Sequence, residues 1–479
     1  MAEIWNNDKK EKEKMILSFE EIEKGYTKEE AIQEAKRCLH CKTKPCMHHC
    51  PAHVAIPEFI EKVANEEWEE AYQIIRQSSC LPEVCGRVCP QEKQCEGSCV
   101  RGIKGKSITI GKLERFVADQ HLLHSPLPSL NTLSSTKKVG IIGSGPASLG
   151  CAQALLDLGY QVMIWEAMDS IGGVLRYGIP NYRLPKELLD QRILRLKKQG
   201  ALFQTGVRIG KDISLENLKQ ECDALFLGCG ASVSNMLFLS NENIHGIYDA
   251  HTFLKICNLN EEASKQERLS FASKKHMVVI GGGNVAMDVA RCAKRLTTGK
   301  VSIVYRRSME ELPARKEEIE HAIEEGISFC LLTNPLQAIS DPQGNLQALQ
   351  CVKMELTEPD ESGRRKPQVI EGSHFIMPVD SLVIAIGSSI DSLWEEVPSL
   401  KMNEKGWVVV DEYFQTSIPG IFAGGDAVSG PKTVVEAMRA GMQAAQQIDS
   451  YIQQCICLLD TSDAPGDMAR VDLGARGMF

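Results

Sequence analysis

A chain of 479 residues has room for two or three domains of ordinary size. At 43% hydrophobic and 24% charged residues it has an average soluble composition, and a formal net charge of −9 argues against nucleic acid or an anionic membrane as partner. No apolar run reaches the roughly 18 residues of a transmembrane helix. The charged start, Met1-Ala-Glu-Ile-Trp5, lacks the apolar core of a signal peptide. Eighteen cysteines without a secretion signal point to a reducing compartment, where thiols serve metals or chemistry. The cytoplasm is the expected location.

Residues 1–15 are rich in Lys and Glu and read as frayed. Thr27 and Glu30 form a capping box that opens a helix over 27–37 and delivers Cys38. Nine of the eighteen cysteines lie between Cys38 and Cys99. One run reads Cys38-x2-Cys41-x4-Cys46-x3-Cys50, and a second reads Cys85-x3-Cys89-x5-Cys95-x3-Cys99. Each run carries a Cys-Pro step, at Pro51 and at Pro90, and the pair looks like the ligands of two iron–sulfur clusters. Zinc is the competing reading, because Cys-x2-Cys suits it as well. The Cys-Pro steps and the flavin context below favour iron and sulfur. Between the runs, Pro57–Arg76 reads as helix, with Phe59, Ile60, Val63 and Trp68 at helical spacing. No strand signal precedes residue 138, so the first 120 residues form a small helical domain held by metal. Residues 121–137 read as a linker.

From residue 138, short apolar strands alternate with helices, the mark of a parallel α/β sheet. The strongest strands are Lys138–Ile142, Gln161–Trp165, Met277–Ile280, Val301–Tyr305 and Ser381–Ile386. Two of them run into glycine-rich turns 138 residues apart, which implies two nucleotide-binding domains. Residues 455–479 show no periodicity and read as a loose tail.

In the first turn, Val139-Gly-Ile-Ile-Gly143-Ser-Gly145-Pro146-Ala147-Ser148, Gly143 allows the bend. Gly145 lets the backbone approach a pyrophosphate, whose charge meets the helix N-terminus. Ser148 stands where the motif usually has a third glycine. Glu166, at the end of the next strand, is placed to accept hydrogen bonds from ribose hydroxyls. Farther on, Gly420-Ile-Phe-Ala-Gly-Gly425-Asp426 precedes a helix over Thr433–Ile448. A strand, an Asp and a helix N-terminus suit the ribityl chain and pyrophosphate of FAD. Gly173 and Arg176, within Gly172-Gly-Val-Leu-Arg-Tyr-Gly-Ile-Pro180, fit the flavin-ring side.

The second turn, Val278-Val-Ile-Gly281-Gly-Gly283-Asn284-Val285-Ala286, repeats the strand–turn–helix logic. Its following strand ends in Arg306-Arg307, where an NAD site would carry an acid. Guanidinium groups suit a 2′-phosphate, so NADPH is favoured over NADH.

With these motifs the chain resembles the small (β) chain of bacterial glutamate synthase. Relatives in that family are the flavin subunit of NADH-dependent ferredoxin:NADP oxidoreductase, sulfide dehydrogenase α chains and the N-terminal part of dihydropyrimidine dehydrogenase. The resemblance covers about residues 20–450. It is most specific at Leu81-Pro-Glu-Val-Cys-Gly-Arg-Val-Cys-Pro90, Tyr305-Arg-Arg-Ser-Met-Glu-Glu-Leu-Pro-Ala-Arg315 and Gly420-Ile-Phe-Ala-Gly-Gly-Asp426. Val100-Arg-Gly-Ile-Lys-Gly-Lys106 and Ile110-Gly-Lys-Leu-Glu-Arg-Phe-Val-Ala-Asp119 place it nearest the stand-alone, "homotetrameric" branch, which also holds the ferredoxin:NADP oxidoreductase subunits.

The resemblance implies a helical domain over 1–125 with two [4Fe–4S] clusters. It implies an FAD-binding domain in two pieces, 137–250 and 376–454, around an NADPH-binding domain over 251–375. Ligands are crossed: Cys38, Cys41, Cys46 and Cys99 hold one cluster, while Cys50, Cys89, Cys95 and Glu114 hold the other. Cys80 and Cys85 are then buried non-ligands. The expected function is NADPH oxidation, with electrons passing through FAD and the clusters to a large amidotransferase/FMN subunit or a ferredoxin-type acceptor, and the expected assembly is an oligomer. In the first case the product is glutamate, from 2-oxoglutarate and glutamine. Hydride transfer belongs to FAD and NADPH, so no protein nucleophile is expected. Met1-Ala2 supplies no N-terminal cysteine nucleophile for glutamine hydrolysis, and the length leaves no room for that domain. The competing readings are a ferredoxin-linked, bifurcating transhydrogenase or sulfide dehydrogenase flavin subunit, and a non-catalytic nucleotide- and metal-binding regulatory protein.

Overall fold

The computed structural model describes residues 18–130, 135–237, 239, 244–259, 262–359, 363–394 and 397–462. The frayed N-terminus expected over 1–15 lies outside them.

The N-terminal domain packs the helices Lys28–Ala35, Ile56–Ala64, Trp68–Arg76, Pro82–Val88 and Ile110–His124. Thr27 and Glu30 make the reciprocal capping box. The helix expected over 57–76 is two helices, because Glu66 turns left-handed at φ 65° between them. Phe59, Ile60, Val63, Ile75, Leu113 and Phe116 meet in one core. Each such side chain contributes about 1.5–3 kcal/mol by leaving water. The last helix runs to His124, so it takes the first residues of the expected linker. No strand precedes Lys138 among the described residues.

Two parallel five-stranded sheets follow. The first has the order Ile421–Ala423, Ala224–Leu227, Lys138–Ile142, Gln161–Trp165, Leu202–Gln204. Val139 pairs with Val162 on one side and Ala224 on the other. Burial on both faces explains why these strands are apolar without alternation. The helices Pro146–Asp157 and Val434–Ser462 cross against it at unusually close range. A Cβ on Gly441 would lie 1.8 Å from the carbonyl oxygen of Ala147, so only glycine permits this crossing. The crossing brings the chain after Asp426 beside the first glycine loop, although Asp426 follows Gly145 by 281 residues in sequence.

The second sheet has the order Ile247–Asp249, Ser381–Ile384, His276–Ile280, Lys300–Val304, Ser328–Cys330. It takes strands from both sides of the 251–375 limits read from sequence, since Leu382 pairs with Ile247 and Val278. Beside it stands an antiparallel unit of Thr333–Ser340, Leu346–Pro359, Arg365–Val369 and Phe375–Pro378, which motif reading passed over. Where the chain runs between the two sheets, Val233–Ser234 pairs with Ser388–Ser389. The final helix continues to Ser462. Residues 455–462 are therefore helical and not tail, and 463–479 lie outside the described residues.

Three sequence-distant parts are fastened by residues 18–23. Ile22 N donates to Tyr182 O at 3.1 Å, Asn181 Nδ2 to Phe19 O at 3.1 Å, and Arg295 Nε to Ser18 O at 2.9 Å. Glu21 pairs with Arg87 and Arg115. No described helix is long and apolar enough to cross a membrane.

Candidate electron-transfer site

Cys38, Cys41, Cys46 and Cys99 line a single cavity, whose other walls include Leu39, Pro45, Ile56, Ile60, Val100 and Arg101. The loop reaches round it through left-handed turns at His40 (φ 46°) and Lys44 (φ 42°). Backbone N–H groups of Leu39 and His40 point at the Cys38 sulfur, and that of Met47 at Cys46. Such donors stabilise thiolate and are one means by which a protein tunes an iron–sulfur centre. Burial, with the neighbouring sulfurs, pushes the Cys46 thiol up to about 11 in the metal-free chain.

Cys50, Cys89, Cys95 and Glu114 form a second group. The Glu114 carboxyl bears electrostatically on all three thiols, and Cys50 on Cys89 and Cys95; Cys85 lies in the same neighbourhood and bears on Cys50 and Cys89. Cys89 and Cys95 are buried, each 7% exposed. Burial, together with the charge of Glu83, raises the Glu114 carboxyl to about 8. No cation faces Glu114, and it makes no hydrogen bond or ion pair among the described residues. A desolvated carboxyl aimed at three thiols is costly in isolation. It is what a positively charged metal centre would offset. Cys80 and Cys85 are buried; Cys85 sits by Cys89 and the Ser79 hydroxyl.

Spacing separates zinc from a cluster. A tetrahedral zinc thiolate, with Zn–S near 2.3 Å, draws its sulfurs to about 3.8 Å from one another. Among the described residues no three cysteines have sulfurs within 4.8 Å of one another; the one trio that tight is Glu23, Glu317 and His321. Four cysteines around a wider cavity fit an iron–sulfur cluster, the ligand set that group requires.

The first glycine loop is built from Gly143 (φ +89°) and Gly145, which caps the helix that Pro146 begins. Ala147 and Ser148 are buried, and Ser148 Oγ donates to Gly228 O at 3.3 Å. Glu166 accepts from Ser144 Oγ at 2.5 Å and from Met168 N at 2.8 Å. Gly173 packs 2.9 Å (by an added Cβ) from Gly145 Cα, and Gly425 correspondingly 2.8 Å from Ala147 Cβ. The three FAD segments thus converge. Asp426 begins a short helix, accepts from Lys432 N at 3.2 Å, and is pushed up to about 6 by burial. Thr433 forms a capping box with Glu436 at the head of the final helix. Arg176 is less available than its motif suggests: it pairs with Asp190 and donates to Ile171 O.

In the second loop, Gly281 turns at φ +145° and Gly283 caps the helix Asn284–Leu296 with open space beside its Cα. Val285 is exposed and Ala286 fully buried. The two arginines differ. Arg306 is exposed, with no protein partner among the described residues. Arg307 is buried and donates to Arg365 O at 2.8 Å.

Sequence reasoning missed two features. Pro313–Arg315 bridges the second loop to the cysteines: Ala314 N donates to Gly282 O at 3.2 Å and Arg315 N to Asn284 Oδ1 at 2.9 Å. On its other side Arg315 donates to Gln91 Oε1 at 3.1 Å, and Lys93 donates to Pro313 O at 3.1 Å. Gln91 and Lys93 lie between Cys89 and Cys95. The family-like run ending in Arg315 was the available signal. The second feature is a buried ionic junction in which Arg183 bonds Asp288 and Glu318, Arg291 bonds Glu318 and Glu325, and Arg295 bonds Glu325.

Together the paired glycine loops, the Asp426 segment and the cysteine domain define a two-dinucleotide-domain flavoprotein with an attached metal-binding domain. The family described as dihydropyrimidine dehydrogenase domain II, 4Fe–4S cluster, matches residues 15–125, and that described as pyridine nucleotide-disulphide oxidoreductase matches 137–441. The chain belongs to the pyridine nucleotide-disulphide oxidoreductase family. It is 36% identical to the glutamate synthase [NADPH] small chain of Escherichia coli, over 91% of this chain and 94% of that one. It is 37% identical to the NADP(+)-dependent formate dehydrogenase subunit beta of Moorella thermoacetica, over 86% of this chain but only 60% of that one. The Mycobacterium tuberculosis FprA structure in complex with NADPH shares the fold, with TM-score 0.56 at 19% identity over 70% of this chain and 87% of that one. The protein is thus an NADPH-dependent flavin and iron–sulfur oxidoreductase of the glutamate synthase small-chain type.

Proposed function

We propose that the chain oxidises NADPH and delivers electrons through FAD and two [4Fe–4S] clusters to a large partner subunit that makes glutamate from 2-oxoglutarate and glutamine. The carrying observation is that Cys99 joins Cys38, Cys41 and Cys46 at one cavity, while Glu114 acts on Cys50, Cys89 and Cys95. This supports the crossed ligand pattern, in a chain that spans 94% of a glutamate synthase small chain.

FAD held here would supply the conversion of a hydride from NADPH into the single electrons that iron–sulfur centres carry. The chain's own residues hold and orient. Gly143, Gly145 and the Pro146 helix end receive the FAD pyrophosphate, and Glu166 and Asp426 its hydroxyls. The Glu166 carboxylate is pre-aimed by Ser144 and Met168. Gly281, Gly283 and the Asn284 helix end receive the second pyrophosphate, and Arg306 meets the 2′-phosphate. Arg307 supports that strand end. The FAD-binding unit comprises roughly 137–245 and 385–454, around an NADPH-binding unit carried by the second sheet.

The test is reduction of an artificial dye by anaerobic, flavin-loaded protein with NADPH, followed by glutamate formation once a glutamate synthase large subunit is added. Absence of dye reduction sinks the enzyme reading. Dye reduction without glutamate formation sinks the choice of partner.

A further inference from the structure

We propose that Glu23, Glu317 and His321 form a binding site for a divalent transition-metal ion of the zinc type, which fastens the N-terminal strap to the NADPH-binding unit. The site is separate from both cysteine groups and does not depend on the electron-conduit reading.

Glu317 and His321 lie on the helix Lys316–Glu324. Being four residues apart, they stand one turn above the other on a single face, a spacing that lets one helix offer two ligands to one ion. Glu23 arrives from the opposite side, at the end of the strap over residues 18–23. One ligand atom from each of the three lies within 4.8 Å of the other two, a closeness no other trio of His, Cys, Asp or Glu reaches among the described residues. Ligand atoms about 2.1 Å from a tetrahedral zinc ion sit about 3.4 Å from one another, so these side chains need to close by about 1.4 Å at most.

Each of the three also keeps an unused atom. His321 Nδ1 is buried without a hydrogen-bond partner, and Nε2 lies 3.6 Å from Glu23 Oε1, beyond hydrogen-bond reach. A buried ring nitrogen left unsatisfied in this way calls for an ion or a water to complete it. Lys112 Nζ pairs with Glu23 Oε2 at 3.3 Å, and Arg315 Nη2 donates to Glu317 Oε2 at 2.7 Å. Glu23 Oε1 then faces only the imidazole, and Glu317 Oε1 has no protein partner among the described residues. Cations that grip one oxygen of a carboxylate aim the other, which is how a second layer of groups orients metal ligands.

All three residues open on a cavity of about 310 Å³, walled also by Gly86, Gln91 and Gly111 of the cysteine domain and by Arg183 and Arg291. It has room for the water that completes a three-ligand zinc site. One imidazole with two carboxylates suits zinc and its first-row neighbours, whereas magnesium and calcium take oxygen ligands throughout. The competing arrangement is a plain ion pair between protonated His321 and Glu23, which takes up no metal. A bound ion would tie the strap to the helix that follows Arg315, the residue joining the second nucleotide loop to Gln91.

The experiment uses anaerobic protein with its flavin and iron in place, cleared of loose metal by a mild chelator and titrated with zinc chloride in a calorimeter. Backbone hydrogen exchange over residues 18–25 and 316–324 is followed by mass spectrometry with and without zinc. The wild type should take up one zinc ion beyond its iron and exchange more slowly in both segments. Glu23→Gln and His321→Ala should each bind zinc at least about tenfold more weakly and show no slowing. Glu320→Gln, at an exposed position on the same helix, should behave as the wild type. If either ligand variant loses flavin or iron, Glu317→Gln supplies the same comparison. Zinc binding of equal strength in the wild type and His321→Ala overturns the proposal. A wild type that takes no zinc also overturns it and leaves His321 as the ion-pair partner of Glu23. Magnesium should leave exchange unchanged, and protection by magnesium equal to that by zinc overturns the choice of metal class.

Discussion

The two cysteine groups use similar ligand chemistry in opposite settings. The group at Cys38 opens past exposed aliphatics, whereas the group at Cys89 buries two of its thiols, includes a carboxyl and is tied by Gln91 and Arg315 to a nucleotide loop. Surroundings, more than ligands, therefore set what each can do. One lies at an open cavity and the other packs toward the flavoprotein.

The largest effects should come from removing a ligand of each group. Cys99→Ser and Cys89→Ser should each lose about half of the bound iron and sulfide, with different electron paramagnetic resonance spectra remaining. If both leave the same spectrum, the groups are not separate. Glu83→Gln tests the enclosure of the inner group. Glu83 is fully buried and holds Arg192 through two bonds of 2.8 Å. The variant leaves a buried guanidinium without its counter-charge, so chemical denaturation should show a loss of about 3–5 kcal/mol. Glu114→Ala should cost the inner cluster alone; iron analysis showing a full complement would remove Glu114 from the ligand set.

Smaller effects separate the arginines that serve the nucleotide loop. Arg306→Ala should raise the KM for NADPH about tenfold and leave NADH nearly unchanged. Arg307→Ala should instead lower thermal stability, because its guanidinium is buried against Arg365 O. The smallest effect belongs to the frame of the outer group. Burial raises the Glu34 carboxyl, but bonds from Arg37 and Thr109 outweigh it and hold the group below its usual 4.5. A depressed carboxyl stabilises the fold at neutral pH and loses that contribution as pH falls below about 4.5. Glu34→Gln should accordingly flatten the acid limb of a stability-versus-pH curve while changing little at pH 7.

Much of this was legible from residue order. The glycine loops, their strands, the Asp426 segment and the capping box at Thr27 depend on local spacing, and local spacing is written in sequence. The partition of the cysteines was not, because Cys99 reaches the first run only by the fold of the intervening 48 residues after Cys50. It came with the family resemblance, as did Glu114, which on spacing alone is one more helical glutamate. The ionic junction was hidden for a similar reason. Asp288, Arg291 and Arg295 look like the solvated face of an amphipathic helix until Arg183 and Glu325 arrive from other elements. Arg176, read from its motif as a flavin-side residue, pairs with the exposed Asp190, a contact its motif does not signal.

The strap over residues 18–23 has a consequence for the order of assembly during synthesis. Its bond from Arg295 to Ser18 spans 277 residues, and that from Asn181 to Phe19 spans 162. A ribosome delivers the cysteine domain first, yet residues that pin its leading edge emerge only with the first dinucleotide domain, at Asn181 and Tyr182, and with the early part of the second, at Arg295. Until then the strap is untethered on that side, and the cysteines wait in a partly fastened domain. The strap thus closes last, and the three parts are drawn together only late in synthesis.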